Sequence, residues 1–467
     1  MDRRQIEILA AVVLGTLMSA IDTTIVILAL PTIVMDLTSS LLLAIWTIIG
    51  YLLVVAVFTT QIGSLGDAFG RGSIFTAGFA VFTVGSFLCG ISETMIELVS
   101  FRVLQGFGAA MLQSSSSALI ADAFPPRERG KAFGFTTLGW NVGGTLGIVL
   151  GGVITTFLGW RYIFFINIPV GIVGVFLARI TLRHEHGKIP ELDYPGMVIL
   201  ASLLLLLVYA ATQIVSSGFS FLETLYILVA LFLIVPFVYV EKRSSNPIVR
   251  IEPLLTRALG VPLFSSFLQA AGYLSVIFVL ILYLQGIRGY TPLYSSLLLV
   301  PGYVVASFLA PSMGRFSDRI GQRVVATTGI VLIMVSVTLY MFLQANTQDY
   351  YIVTASLIGG VGGSMFWPAN NSSIMGGAPQ GTYGSISGLS RTLSNVGTLA
   401  SYVLAISVAA STIGRKMAFE VFLGTGNVIG SLQVSFLAGI KSAFLVSVIL
   451  LLAAGALSSL RPRHSSA

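Results

Sequence analysis

The sequence predicts an all-α polytopic membrane protein built from two six-helix repeats with two further helices inserted between them. Three observations carry this: the composition, the spacing of long apolar runs, and an internal repeat. Of 467 residues, 55% are hydrophobic and only 9% charged, with a mean hydropathy of +0.94. Soluble domains carry about 25% charged residues, so this chain holds more apolar surface than a water-soluble core can hide.

A helix needs roughly 20 apolar residues to cross the hydrocarbon. About fourteen runs of that kind occur, at 6–30, 41–62, 73–92, 96–120, 131–157, 162–182 and 194–214. They continue at 222–240, 259–285, 293–313, 324–344, 350–370, 384–410 and 437–460. The runs are continuous instead of alternating, which selects helices over barrel strands. MDRRQ leads straight into the first run, so that run is expected to be an anchor and not a cleaved leader. With the N-terminus placed inside, 18 of the 25 Lys and Arg fall on inside segments. Four (Arg161, Arg288, Arg415, Lys416) fall outside, and Arg102, Arg391 and Lys441 lie within spans. That asymmetry puts both termini in the cytoplasm of a plasma-membrane protein.

GSLGDAFGR (63–71) matches GRFSDRIGQR (314–323), pairing Gly63/Gly314, Asp67/Asp318 and Gly70/Gly321 at one offset, 251. QGFGAAM (105–111) matches GVGGSM (360–365) at an offset of 254, which also pairs Pro125/Pro379, Asn141/Asn395 and Gly143/Gly397. The expected domains are therefore an N-terminal six-helix bundle (1–182), linkers with two inserted helices (183–258), and a C-terminal bundle (259–467). Parallel repeats around a midplane cavity are a transporter architecture.

The same sequence argues against other classes. Net charge +7 and a pI near 9.5 arise from basic inter-span loops, so no nucleic-acid partner is expected. A lone Cys89 and three loop or tail histidines offer neither a disulfide framework nor a metal site. No phosphate loop or Ser/His/Asp set supports an enzyme. A membrane sensor or scaffold would need a soluble signalling segment, and the longest non-membrane stretch, about 411–436, is short and glycine-bearing.

One acid stands out. SAIDTTIVILALP places Asp22 a little past the middle of the first run, where an ionised group costs several kcal/mol unless it faces a partner or a wet cavity. Arg102 opens RVLQGFGAAM in the fourth run and must likewise be paired or hydrated. Gly143, Gly147 and Gly151 recur at i, i+4, i+8 in GGTLGIVLGG, with Gly152 beside them, a spacing that permits close helix packing. Polar or aromatic residues set among apolar spans are candidate substrate contacts: Trp46, Tyr51, Gln105, Gln113, Asn141, Trp367, Asn370 and Asn371.

The paired GxxxDxxGR-like loops, AIDTTIVILALP and WRYIFFINIPVG (160–171) together resemble the major facilitator superfamily. More narrowly they are similar to its fourteen-helix drug:proton antiporter family, over nearly the whole chain. The resemblance implies a major-facilitator fold and proton-coupled export of hydrophobic, including cationic, small molecules by alternating access. It needs no cofactor beyond the proton gradient, and its partners are the substrate, protons and the lipid bilayer, with a monomer as the working unit. It implies Asp22 and Arg102 as the proton-coupling pair. Gly63, Asp67, Gly70 and Arg71 would form a gating latch with Asp122 and Arg129, and Gly314, Asp318 and Gly321 would be its second-half counterpart. Gly143, Gly147, Gly151 and Gly152 would be the antiporter helix, although Ile148 stands where that signature has proline. Arg391, in GLSRTLSNVG, fits the family's thirteenth-span pattern and either attracts anions or points to the cytoplasm. Another facilitator of the same fold, moving a defined metabolite, is the closest alternative.

Overall fold

In hydrocarbon the backbone must satisfy its own hydrogen bonds, and the computed structural model of the chain is all helix among the described residues. Those are residues 2–39, 41–124, 126–182, 193–217, 220–245, 247–249, 251–379, 383–411 and 431–462. The first half comprises α1 (Arg3–Asp36), α2 (Leu41–Phe69), α3 (Arg71–Gly90), α4 (Met95–Ala123), α5 (Pro126–Phe157), α6 (Tyr162–Phe165) and α7 (Asn167–Thr181). Next come α8 (Tyr194–Ser217), α9 (Phe221–Glu241) and the short α10 (Ile251–Leu254). The second half comprises α11 (Arg257–Tyr273), α12 (Val276–Ile281) with a π-helical turn at Leu282–Ile287, and α13 (Pro292–Ile320). It continues through α14 (Gln322–Met341), α15 (Asp349–Gly377), α16 (Tyr383–Ser411) and α17 (Ser431–Ser459).

Twelve helical stretches among the described residues are long and apolar enough to cross a membrane. They correspond to the predicted spans other than the seventh and thirteenth. For the seventh, a shorter apolar helix, Tyr194–Ala210, meets the criterion in part, and α16 occupies the position of the thirteenth.

Helix ends are set by local chemistry. Asp2 Oδ1 accepts from Gln5 N at 2.7 Å and Gln5 Oε1 accepts from Asp2 N at 3.0 Å, a reciprocal box that starts α1. Thr94 and Glu97 do the same for α4. Gly70 (φ 87°) and Gly321 (φ 98°) each form the sole link between two long helices, α2–α3 and α13–α14. The left-handed φ there is costly for any residue with a Cβ. The matched loops thus share backbone geometry as well as sequence.

Packing repeats too. A Cβ added to Gly78 would lie 2.9 Å from Met111 Cβ, and one on Gly329 3.1 Å from Met365 Cβ. The halves meet along two related seams, α5 on α13 and α2 on α16. The inserted helices pack on each other, and α8 touches both α2 and α16, so it lies across one seam. The outer surface of α9 exposes Leu222, Leu228, Leu231, Phe232 and Val235, an apolar face suited to lipid.

Two predicted spans are not single helices. The run at 162–182 divides at Ile166, and the run at 259–285 breaks between Tyr273 and Val276 before its π turn. At the second break, Ser275 N donates to Ser401 Oγ at 3.0 Å and the two hydroxyls meet at 2.8 Å. A neighbouring side chain takes over a backbone donor, one of the recognised causes of a helix break.

Candidate functional site

The deep acid is paired. Arg102 Nη1 donates to Asp22 Oδ2 at 2.6 Å, with Asp22 fully buried and Arg102 2% exposed. Arg102 also donates through Nε to Thr47 O (3.1 Å) and through Nη1 to Gln105 Oε1 (2.6 Å). Gln105 Nε2 donates to Asp22 Oδ1 at 2.8 Å and to Ser86 Oγ at 2.6 Å. Asn167 Nδ2 reaches both Asp22 Oδ1 and Ser86 Oγ at 3.3 Å. The guanidinium lies 4.3 Å over the Tyr51 ring. Five elements therefore join one network, in which α4 and α7 bond the Asp22 carboxylate of α1 directly and α2 and α3 hold its partners.

Local sequence explains the convergence. Arg102 and Gln105 are three apart on α4 and so share a face. A Cβ on Gly85 would sit 2.8 Å from Gln105 Cα, so α3 lies against α4 and brings Ser86 within reach. The helix break at Ile166 starts α7 with Asn167, which is 1% exposed. A buried pair of this kind is balanced only while both partners remain, and removing one costs about 3–5 kcal/mol. Neutralising either partner would leave the other charge buried without its countercharge.

The glycine ladder lies alongside. Added Cβ atoms at Gly143, Gly147 and Gly151 would fall 2.7, 2.6 and 3.1 Å from the carbonyl oxygens of Leu17, Ile21 and Ile25. Thus α5 rests backbone to backbone on α1 at the turns bracketing Asp22. Gly152, on the same helix, faces another way. Its Cβ would meet Pro292 O and Leu293 Cα of α13 at 3.0 Å, so it belongs to the seam between halves and not to the α1 face.

The predicted latch is only partly described. Gly63 lies near Ser114 Cβ and Gly314 near Pro368 Cβ, and Arg71 Nη1 pairs with Asp122 Oδ2 at 2.6 Å. The side chains of Asp67, Arg129 and Asp318 lie outside the described residues. At the α2–α16 seam, the Thr60 and Thr392 hydroxyls meet at 2.7 Å. At the opposite end, Trp160 Nε1 and Arg161 Nη1 both donate to Asp36 Oδ2, at 2.9 and 2.6 Å.

The eight predicted substrate contacts fall in different surroundings among the described residues. A small cavity of about 10 Å³ is lined in part by Gln113, Ser116, Trp140 and Arg391, and of the eight Gln113 reaches it. Tyr51 and Gln105 belong to the ion-pair network instead. Trp46 and Trp367 pack partly buried against the core, and Asn141 is half-buried. Asn370 is fully buried and accepts from Arg461 Nη2, whose guanidinium burial pushes down to about 10. Asn371 is exposed, because the next residue on a helix points about 100° away. Sequence reasoning missed Ser86, Asn167 and Trp140. Asn167 sits inside the quoted WRYIFFINIPVG motif, and a lone amide in an apolar run was its available signal.

An all-helical bundle of paired six-helix halves with a charge pair buried in one of them defines a membrane transporter. The Major Facilitator Superfamily matches the chain over residues 12–402, and the chain belongs to that family. It is a transporter of this fold and not an enzyme. It is 30% identical over 398 residues to the riboflavin transporter RibZ of Clostridioides difficile (strain 630), covering 83% of this chain and 85% of that protein. It is 29% identical over 406 residues to the tetracenomycin C resistance and export protein of Streptomyces glaucescens, covering 86% and 76%. Among solved structures, a bacterial homolog of the human lysosomal transporter Spinster, in an inward-facing and unoccupied conformation, aligns over 100% of both chains. That alignment has a TM-score of 0.66 at 18% identity, a likeness of fold.

Proposed function

We propose that this protein is a proton-coupled exporter of hydrophobic small molecules that works by alternating access in the cell membrane, with both termini cytoplasmic. The observation that carries this reading is the Asp22–Arg102 pair, sealed within the first half and backed by the α5 glycines. A carboxylate with its countercharge in the membrane interior takes up a proton only when access and partner geometry change, which is the requirement for coupling. The charge asymmetry between loops supports the orientation. The relative named for tetracenomycin C resistance and export favours export of drug-like compounds, whereas the relative named a riboflavin transporter supports a defined metabolite as the second reading. Asp22 is fully buried, so substrate and proton are better read as competing through helix position than as taking turns on one exposed acid.

The test is flux in proteoliposomes holding the purified full chain, with an imposed pH gradient and a panel of lipophilic aromatic compounds. The expected result is accumulation of several compounds that a protonophore abolishes. Accumulation indifferent to the protonophore would overturn proton coupling, and movement of a single vitamin-like compound would favour the metabolite reading.

A further inference from the structure

The cavity's charge runs opposite to the cationic substrates that the family resemblance implied. Thr16 and Ser19 of α1, Gln113 and Ser116 of α4, Trp140 of α5 and Arg391 of α16 line it, and Arg391 is its one charged lining residue. No carboxylate among the described residues pairs with Arg391. The buried Asp22 has one oxygen on Arg102 and the other on Gln105 and Asn167. The hydroxyls opposite donate to their own helices: Thr16 to Val12 O, Ser19 to Gly15 O and Ser116 to Leu112 O. Their hydrogens are thus engaged, which leaves the guanidinium, the Gln113 amide and the Trp140 indole N–H as the donors of the lining, and of these the guanidinium alone carries charge. The adjacent Thr392, 1% exposed, bonds to Thr60 across the seam and fixes α16 where Arg391 emerges.

We infer that the cavity takes aromatic substrates bearing an acidic group, with Arg391 binding the anion and Trp140 stacking on the ring. The inference rests on the transport reading above and names its substrate class. A guanidinium presents a planar fork that matches a carboxylate or phosphate and always carries its charge. The Trp140 side chain, 40% exposed, offers a π face at low conformational cost. Arg391 belongs to the second half, while the other lining residues named belong to the first. An anionic substrate would therefore supply the countercharge that Arg391 lacks and draw the halves together over it. As it stands the space is about 10 Å³, room for about one water against the roughly 300–1,000 Å³ of ligand pockets, so the halves must part to admit a substrate between Arg391 and Trp140.

The experiment compares three matched probes, a naphthalene carboxylate, its carboxamide and the corresponding ammonium compound. Binding to purified full-length protein is measured by calorimetry, and gradient-driven flux is measured in proteoliposomes. The expected result is at least a tenfold preference for the carboxylate in both assays, lost in Arg391→Gln and retained in Arg391→Lys. A preference for the ammonium probe, equal binding of all three, no carboxylate binding, or a carboxylate preference that survives Arg391→Gln would overturn the anion site. Carboxylate binding that depends on Arg391 but is never followed by gradient-driven flux would uphold the site and sink the exporter reading. Flux with no dependence on Arg391 would do the reverse.

Discussion

At the scale of single residues, the account turns on charges that the membrane does not tolerate alone. Arg102→Leu leaves the Asp22 carboxylate buried with two amide donors and no countercharge. It should destabilise the protein by about 3–5 kcal/mol, and Asp22→Leu in the same chain should recover much of that loss, since an apolar pair replaces a buried ion pair at little cost. Thermal unfolding of the purified single and double variants checks both steps. Asp22 and Arg102 were legible in the sequence because ionisable residues in apolar runs are rare enough to single out. Their pairing across 80 positions was only inferable, and Ser86 and Asn167 were not distinguishable at all, since uncharged polar residues recur through many of the spans. Arg391 was legible as a charge and not as a cavity wall, because that role depends on which way α16 faces the other half.

Helices act here through how closely their backbones approach. At Gly147 an added Cβ would fall 2.1 Å from Thr24 Oγ1 and 2.6 Å from Ile21 O, whereas at Gly134, on the same helix, nothing lies within 4 Å. Gly147→Ala should therefore push α5 off α1, cost roughly 1–3 kcal/mol as overpacking does, and abolish flux. Gly134→Ala should leave both stability and flux near wild type. Melting temperature and proteoliposome flux, measured side by side, test the pair. The i, i+4, i+8 spacing made three of these glycines readable as a face. Gly152, one residue beyond the ladder, is rotated by about 100°, enough to aim it at α13. The breaks at Ile166 and near Ser275 were hidden inside uninterrupted apolar runs, because hydropathy registers length and not the Ser401 hydroxyl that captures a backbone donor.

For the molecule as a whole, the repeat was readable because both halves keep the same glycines at two neighbouring offsets, 251 and 254, and Gly70 and Gly321 prove to share one backbone conformation. The pairing of seams, α5 with α13 and α2 with α16, was not readable, since nothing local encodes which helix of one half meets which of the other. Alternating access requires these seams to open in turn. Cysteines replacing Thr60 and Thr392, whose hydroxyls meet at 2.7 Å, should form a disulfide that stops flux and releases it on reduction, measured in proteoliposomes. The native Cys89 is buried and stays out of that chemistry. Flux undiminished in the oxidised, cross-linked protein would mean that the α2–α16 seam does not part during transport.

The central claim is that Asp22 couples proton to substrate, and proton release triggered by substrate tests it most directly. Wild type and Asp22→Asn would be reconstituted in matched liposomes, each given a transported compound, and the external pH followed. The account predicts proton movement on substrate addition in wild type and none in Asp22→Asn, with substrate binding still detectable in the variant. Equal proton movement in both proteins would contradict it and leave the Asp22–Arg102 pair a structural element of the first half.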